Sequence, residues 1–456
     1  MKQEQKRFRN DFKRACIIYA IAFFGAISAF GHIIPQQKHS ESDTLDPCRA
    51  ILLPLPGENK RDEEIARLQK GFSSAFSPSV DVEKLGWLFI DKARRESNPK
   101  YYSLAEKASL CLETQCERKE AAFLLRGHVY QNLHRFKEAE TLARVLIEKR
   151  GLPFDYALLG DALMEQGKLD ESIDAYQKMI DLKPGLEAYS RTAHIRWLKG
   201  DLSGAIEVME MAVRAGNPRN PEPVAWILTR LALYRWQEGD HERARQALEG
   251  ASELLPDYAP TLFAKGRMLL ANKEYSQAAT LLRKAVEITP LPEYQWALLE
   301  SLRAEGNAQE AEAVESTLMQ KGASEDARTF SLYLASFGKN SSEAVHLAKQ
   351  ELQVRRDVFT YDALAWALAA SGKEKEAYEH VLLSLKEGTE DARLFYHAGV
   401  IAFQLGKIRK SKAWLKKAEG MSDMLMPSER KKMETVLSAL KTERTAGKIS
   451  NHIKHI

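Results

Sequence analysis

The sequence predicts an all-α solenoid of about ten helix-turn-helix repeats, preceded by one N-terminal transmembrane helix. Three observations predict it. Small residues recur at a pitch of about 33 along most of the chain, glycines break the helical pattern five residues before them, and one uncharged apolar stretch stands near the N-terminus.

That stretch, "ACIIYAIAFFGAISAFGHII" at 15–34, carries no ionised side chain unless His32 is protonated. A helical span needs roughly 20 apolar residues. Residues 1–14 hold Lys2, Lys6, Arg7, Arg9, Lys13 and Arg14, whereas Lys38 and Arg49 are the only Lys or Arg in the fifteen residues after the stretch. Positive charge stays in the cytoplasm, so 1–14 reads as a cytoplasmic basic N-terminus and everything past Pro35 as extracytoplasmic, periplasmic in a bacterium. Two other readings remain open: a signal peptide cleaved near Ala29-Phe30-Gly31, which leaves a secreted or periplasmic protein, and a buried core helix.

Residues 35–85 read as a linker with one short helix. "PQQKHSESDTLDP" at 35–47 is polar and Pro-bounded, and should be extended and mobile. "LLPLPG" at 52–57 is broken by proline. In 61–76, Ile65, Leu68, Phe72 and Phe76 share one face of an amphipathic helix.

The repeats fill 86–425. Ala105, Ala139, Ser172, Ala205, Ala244, Ala278, Ala311, Ala344, Ala377 and Ser411 mark equivalent positions on the second helix of each pair. Twelve residues earlier stand Ala93, Gly127, Gly160, Ala193, Ala232, Gly266, Leu299, Leu332, Ala365 and Gly399, mostly small. Small side chains at the crossing let two helices approach, and a bulky one would overpack the contact at a cost of roughly 1–3 kcal/mol. Gly167, Gly200, Gly239, Gly306, Gly372 and Gly406 supply the turn, and Pro184, Pro256 and Pro290 stop the second helix. Larger residues four and seven past the marker, such as Tyr176, Leu248, Leu282 and Leu318, are expected to cover the next hairpin. Each unit is then buried by its neighbours.

One step is longer than the rest. It marks an insertion, "AGNPRNPEPV" at 215–224, expected as a loop on the rim. Residues 426–456 read as a C-terminal capping helix with a basic tail, in which a Ser N-cap and a following Glu open "PSERKKMETVLSALKTERTAGK".

This pattern resembles the tetratricopeptide repeat (TPR). Together with the N-terminal segment, the layout resembles bacterial exported or membrane-anchored TPR proteins. The resemblance implies a right-handed superhelix whose first helices line a concave face that binds a protein or peptide. On that face or its adjoining rows it places Asp161, His194, Trp197, Arg230, Trp236, Arg267, Trp296, Glu300, Tyr333, Trp366 and Tyr396 as partner-binding candidates. Trp, Tyr and Arg are enriched at binding hot spots. The competing expectation is that these aromatics fill the gaps between repeats. Two specialised activities of the family are not supported. The carboxylate clamp of chaperone-docking TPR domains needs Lys fifteen before the marker and Asn eleven before it, and neither occurs. The paired CxxC module of the lipopolysaccharide-regulating relatives is missing too.

Charge and motifs narrow the function further. The net charge of +4 hides a basic start, an acidic body and a basic end, with +6 within 407–417 alone. That run reads as a solvated solenoid end or as a salt-sensitive contact for a membrane or acidic partner. A nucleic-acid partner is not expected of an exported body. No phosphate loop, nucleophile elbow, HExxH or dinucleotide fingerprint occurs, so no enzyme activity, cofactor or catalytic residue is expected. No CxxC or His cluster points to a metal. Cys48, Cys111 and Cys116 would face an oxidising space in which one pair could close. Alternatively, Cys111 and Cys116 are small packing residues on a helix.

The function expected is therefore a non-enzymatic, membrane-anchored interaction scaffold, tethered through 15–34. The alternatives are a periplasmic holdase and a structural subunit that self-associates through its ends or convex side.

Overall fold

The computed structural model describes residues 46–57, 59–71, 78–96, 98–116 and 118–446. Segment 15–34, the Ala29-Phe30-Gly31 site, the first eleven linker residues and the last ten residues of the tail lie outside the described residues. Among the described residues there is no strand, and no helix is long and apolar enough to cross a membrane.

The helices, in chain order, begin with α1 (Pro47–Ala50), α2 (Lys60–Gly71), α3 (Pro78–Arg95) and α4 (Lys100–Thr114). Next come α5 (Lys119–Asn132), α6 (Phe136–Lys149), α7 (Pro153–Glu165), α8 (Leu169–Leu182), α9 (Leu186–Leu198) and α10 (Leu202–Arg214). They continue as α11 (Pro221–Glu238), α12 (His241–Leu254), α13 (Ala259–Ala271), α14 (Tyr275–Ile288), α15 (Pro292–Glu305) and α16 (Ala308–Glu325). The last are α17 (Ala327–Ser336), α18 (Ser341–Val354), α19 (Val358–Ala370), α20 (Glu374–Ser384), α21 (Ala392–Gln404), α22 (Ile408–Glu419) and α23 (Pro427–Ala446), with a 3-10 turn at Ser422–Met424.

All ten marker residues fall on second helices, and all are buried. The spacing works as expected, but its detail differs. The larger residue four past the marker covers its own hairpin, not the next. A Cβ at Gly160 would lie 2.3 Å from Tyr176 Cε1, one at Gly266 2.7 Å from Leu282 Cγ, and one at Gly399 2.5 Å from Leu415 Cδ2. Glycine at the crossing is thus filled by the partner helix of the same pair. The expected turn glycines all take positive φ, from 68° at Gly406 to 93° at Gly239. An L-residue pays about 1 kcal/mol or more for that conformation. Asp201, Asp240, Asn307 and Asn340 cap the second helix that follows, each accepting from the backbone N–H three residues on.

The chain forms two compact units that divide between Ala188 and Tyr189. In the first, the described part of the expected linker holds α1, α2 and the start of α3, and its apolar residues reach a core. Ile51, Ile65 and Leu68 join one core with Leu85, Phe89, Ala105 and Leu112. A disulfide between Cys48 and Cys111, with Cα atoms 5.0 Å apart, ties α1 to α4. Cys116 stays a free, half-buried thiol. The first helices α3, α5 and α7 stack side by side.

The second unit stacks first helices α11, α13, α15, α17, α19 and α21 in the same way. Its main core runs from Leu270 to Leu440. The insertion is shorter than expected. Only 215–220 lie outside helix, and Pro221 opens α11, taking the remaining residues into an 18-residue helix. The tail also differs. Ser428 is the second residue of α23, not its N-cap, and Glu429 reaches back to accept from the Met426 N–H at 2.8 Å.

Candidate functional site

The inner wall of the second unit is where its first helices meet, and there the unit curls until distant repeats touch. Trp197 on α9 stacks on Phe359 on α19 with ring centroids 5.7 Å apart. Lys199 Nζ lies 2.8 Å from a Glu387 carboxylate oxygen, and Thr389 Oγ1 donates to the Leu198 carbonyl. Gln237 Nε2 donates to the Glu390 carbonyl, while its Oε1 accepts from Trp197 Nε1 at 2.9 Å. The α20–α21 connection thereby seals against α9 and α11.

Beside this seam sit three of the expected partner-binding residues. His194 Nδ1 is 3.3 Å from Tyr234 Oη and 3.5 Å from Arg230 Nη2. The Arg230 guanidinium lies over the Trp197 and Tyr234 rings. Burial, with the Arg230 charge second, pushes the His194 pKa down to about 3, so this imidazole is neutral.

A second cluster lies further along the wall, and the chain's own C-terminal segment occupies it. Glu300 on α15 accepts from the Ser428 N–H at 2.8 Å and from the Ser428 hydroxyl. Trp296 Nε1 donates to the same carboxylate at 2.6 Å and holds it in place. Arg393 Nε on α21 donates to Glu429 Oε1 at 2.8 Å, and its guanidinium lies over the Trp296 ring. Arg267 on α13 donates to the Met424 carbonyl, and Lys432 Nζ sits 5.1 Å from the Trp366 ring centroid. Trp366 also stacks on His397, centroids 4.0 Å apart, and His397 Nδ1 is 2.8 Å from Asp362 Oδ2.

The electrostatics follow from burial. Burial raises the Glu300 pKa, an effect that the Ser428 bonds only partly offset. Burial also acts upward on Glu429, but Arg393, His397, the Met426 N–H and Arg267 together outweigh it and hold that carboxyl below its ordinary value. Burial acts downward on Arg393, and the carboxylates Glu429, Glu293 and Asp391 more than reverse it.

The structure places the eleven expected residues as follows. Trp296, Glu300, Arg267, Trp366 and Tyr396 gather around 424–433, and His194, Trp197 and Arg230 around the seam. Trp236 packs in a core with Ala232, Leu248 and Met268. Tyr333 turns toward α16, where its hydroxyl donates to Glu315. Asp161 belongs to the first unit and accepts from Tyr176 Oη at 2.6 Å. All but the half-buried Arg230 are buried. Sequence reasoning missed Arg393, Gln237, Ser428 and Glu429 as members of the wall. A signal did exist for the tail: Met426, Met433, Val436 and Leu440 recur at helical spacing and are all buried.

Models of the tetratricopeptide repeat match residues 124–187 and 157–220, 235–302 and 392–423. These stretches are TPRs, and the described body is an all-helical TPR solenoid. Such a fold suggests a protein–protein interaction scaffold. The chain is 25% identical over 268 residues to the protein CTR9 homolog of Arabidopsis thaliana, covering 57% of this chain and 23% of that protein. It is 26% identical over 147 residues to anaphase-promoting complex subunit 3 of Schizosaccharomyces pombe, covering 31% and 21%. The chain thus spans under a quarter of the length of these curated relatives. Among solved structures it is similar to the APC/C hetero-tetramer Cut9-Hcn1, with 13% identity, a TM-score of 0.43, and coverage of 90% of this chain and 93% of that one.

Proposed function

We propose that this chain is a non-enzymatic scaffold, anchored in a membrane by 15–34, whose TPR body binds a protein or peptide partner along its concave face on the extracytoplasmic side. The carrying observation is that helical pairs take up α3 to α22, with TPR models matching 124–220, 235–302 and 392–423, so the body offers a repeating surface. The outward placement is supported by the Cys48–Cys111 bond, since such bonds persist in oxidising compartments, and by the bases preceding the apolar stretch. Of the residues already named, the half-buried Arg230 is the accessible one and the proposed point of contact, since the other ten are buried.

Photo-crosslinking from position 230 in expressing cells tests the binding reading. A discrete protein adduct that re-forms from purified components, and is lost from a control probe on the exposed convex residue Arg245, is expected. Adducts of equal pattern from both positions would overturn it. Topology is tested separately. A membrane-impermeant reductant followed by an impermeant maleimide should label Cys48 and Cys111 in intact cells. Labelling only after lysis would place the body inside.

A further inference from the structure

We propose that the concave face of the second unit is a receptor for an amphipathic helix with a carboxylate in its first turn, that α23 is its resident ligand, and that an external helix of the same chemistry binds by displacing α23. This rests on the reading of the body as a scaffold, and goes beyond it by naming the site, the ligand class and the element that guards it.

The docking of 424–433 has the features of ligand recognition. Its contacts skip repeats: Ser428 meets Glu300 across 128 residues of sequence and Met424 meets Arg267 across 157. A helix that only capped the last repeat would need α21 and α22 alone. The charges are matched in both senses. Glu300 sits at the N-terminal turn of α23, where free N–H groups favour an anion, and Arg393 takes the carboxylate that this turn offers in return. Behind that turn, Met433, Val436 and Leu440 stand four, seven and eleven residues after Glu429 and are buried. They form the apolar stripe by which a helix lies in a groove.

The receptor groups belong to the body, not to the ligand. Trp296 orients Glu300 and lies beneath Arg393, so both charges are held by the wall itself. Withdrawal of α23 would leave Glu300 with Trp296 and Arg393 with Glu293 but take away the Ser428 donors and the Glu429 carboxylate, and a buried charge that loses a hydrogen-bonded partner is destabilised. An emptied groove therefore selects a ligand with the same two features, an N-terminal turn for Glu300 and a carboxylate for Arg393. The connection is short, from Gly420 to Met426, so α23 competes at the high effective concentration of a tethered ligand. External binding is weak until the tether is cut or the docking is loosened.

The test inserts a specific protease site between Gly420 and Met421 of the full chain and cuts the folded protein. The probe is a fluorescent synthetic peptide of residues 421–446. The released piece should remain bound and exchange with the probe, while uncut protein leaves the probe free. Arg393→Ala in the protein, or Glu429→Gln in the probe, should weaken binding by about tenfold or more, and Lys441→Ala in the probe should not. A cut protein that loses its helical signal, or keeps its piece without exchange, overturns the proposal, because α23 is then part of the core. Hydrogen exchange on the uncut Glu429→Gln chain gives an independent answer. Faster exchange confined to 427–440 supports a detachable helix, and equal acceleration in α21 and α22 overturns it. Failure here alongside a confirmed adduct at 230 leaves the scaffold reading standing. Peptide exchange without any cellular partner separates the two in the opposite sense.

Discussion

Gly200 faces Gly388 so closely that a Cβ at position 200 would lie 2.5 Å from the Gly388 carbonyl oxygen. The contact joins the turn after α9 to the loop after α20, so it fastens the curl of the second unit. Gly200 also has a φ of 81°, which alone penalises any other residue. Gly372, with a φ of 77° and nothing near its missing Cβ, isolates the two effects. Gly372→Ala should cost about 1 kcal/mol and Gly200→Ala a further 1–3 kcal/mol, read from urea midpoints. Equal losses would mean that the close approach contributes nothing.

The Cys48–Cys111 bond closes a loop of 63 residues in the first unit. Constraining an unfolded chain over that length is worth about 4 kcal/mol. Reduction, or the double change to Ser, should lower the urea midpoint of the first unit's transition while α12 to α22 keep their protection in hydrogen exchange. Thiol counting in denaturant should give two more alkylated cysteines after reduction than before. Cys116 reacts slowly in the folded state, because burial raises its thiol pKa.

The repeat was legible because its physics is local. A marker such as Ser172, a crossing residue such as Gly160 and a turn such as Gly167 are fixed by one hairpin, and each lies where its spacing predicts. What the sequence left hidden was long-range. No spacing says that Glu300 meets Ser428 or that Trp197 meets Phe359, because those pairings depend on how small rotations between repeats accumulate. The concave aromatics stand out by type alone, and type does not reveal that α23 covers Trp366 or that Trp236 fills a gap between repeats. Within 46–85 the described residues hold more helix than the single one expected, for a related reason. These short helices have weak signatures of their own, and they are held by the disulfide and by the core of the first repeat.

His194 gives the second unit a sensitivity to acid. Its folded pKa is about 3, against an ordinary value of 6.5. The unfolded chain therefore takes up the proton first as pH falls. The stabilisation is fully present above pH 6.5 and is lost as pH drops toward 3, at about 1.4 kcal/mol per pH unit. Between pH 7 and pH 5 the wild-type protein should lose about 2 kcal/mol more than His194→Gln, whose amide can still reach Tyr234. Parallel pH profiles of the two proteins in chemical denaturation would refute this assignment.

At two turns a side chain other than glycine holds the glycine position in the left-handed conformation, and these turns mark where stability can be gained. His134 and Lys273 stand five residues before Ala139 and Ala278, at the position that glycine holds elsewhere, with φ of 56° and 65°. A side chain in that left-handed region is strained by about 1 kcal/mol or more, and glycine relieves it. Against this, glycine enlarges the freedom of the unfolded chain, a loss of roughly 0.4–1 kcal/mol. For an unstrained residue only the entropic loss would remain, whereas at Lys273 the relief of strain offsets or exceeds it, so Lys273→Gly should be neutral to stabilising by up to about 1 kcal/mol. His134 stacks on Phe136 with centroids 5.4 Å apart, so His134→Gly also gives up a ring contact and should gain less. Thermal unfolding of the two variants should therefore rank Lys273→Gly above His134→Gly, and the opposite order would show that backbone strain does not govern these turns.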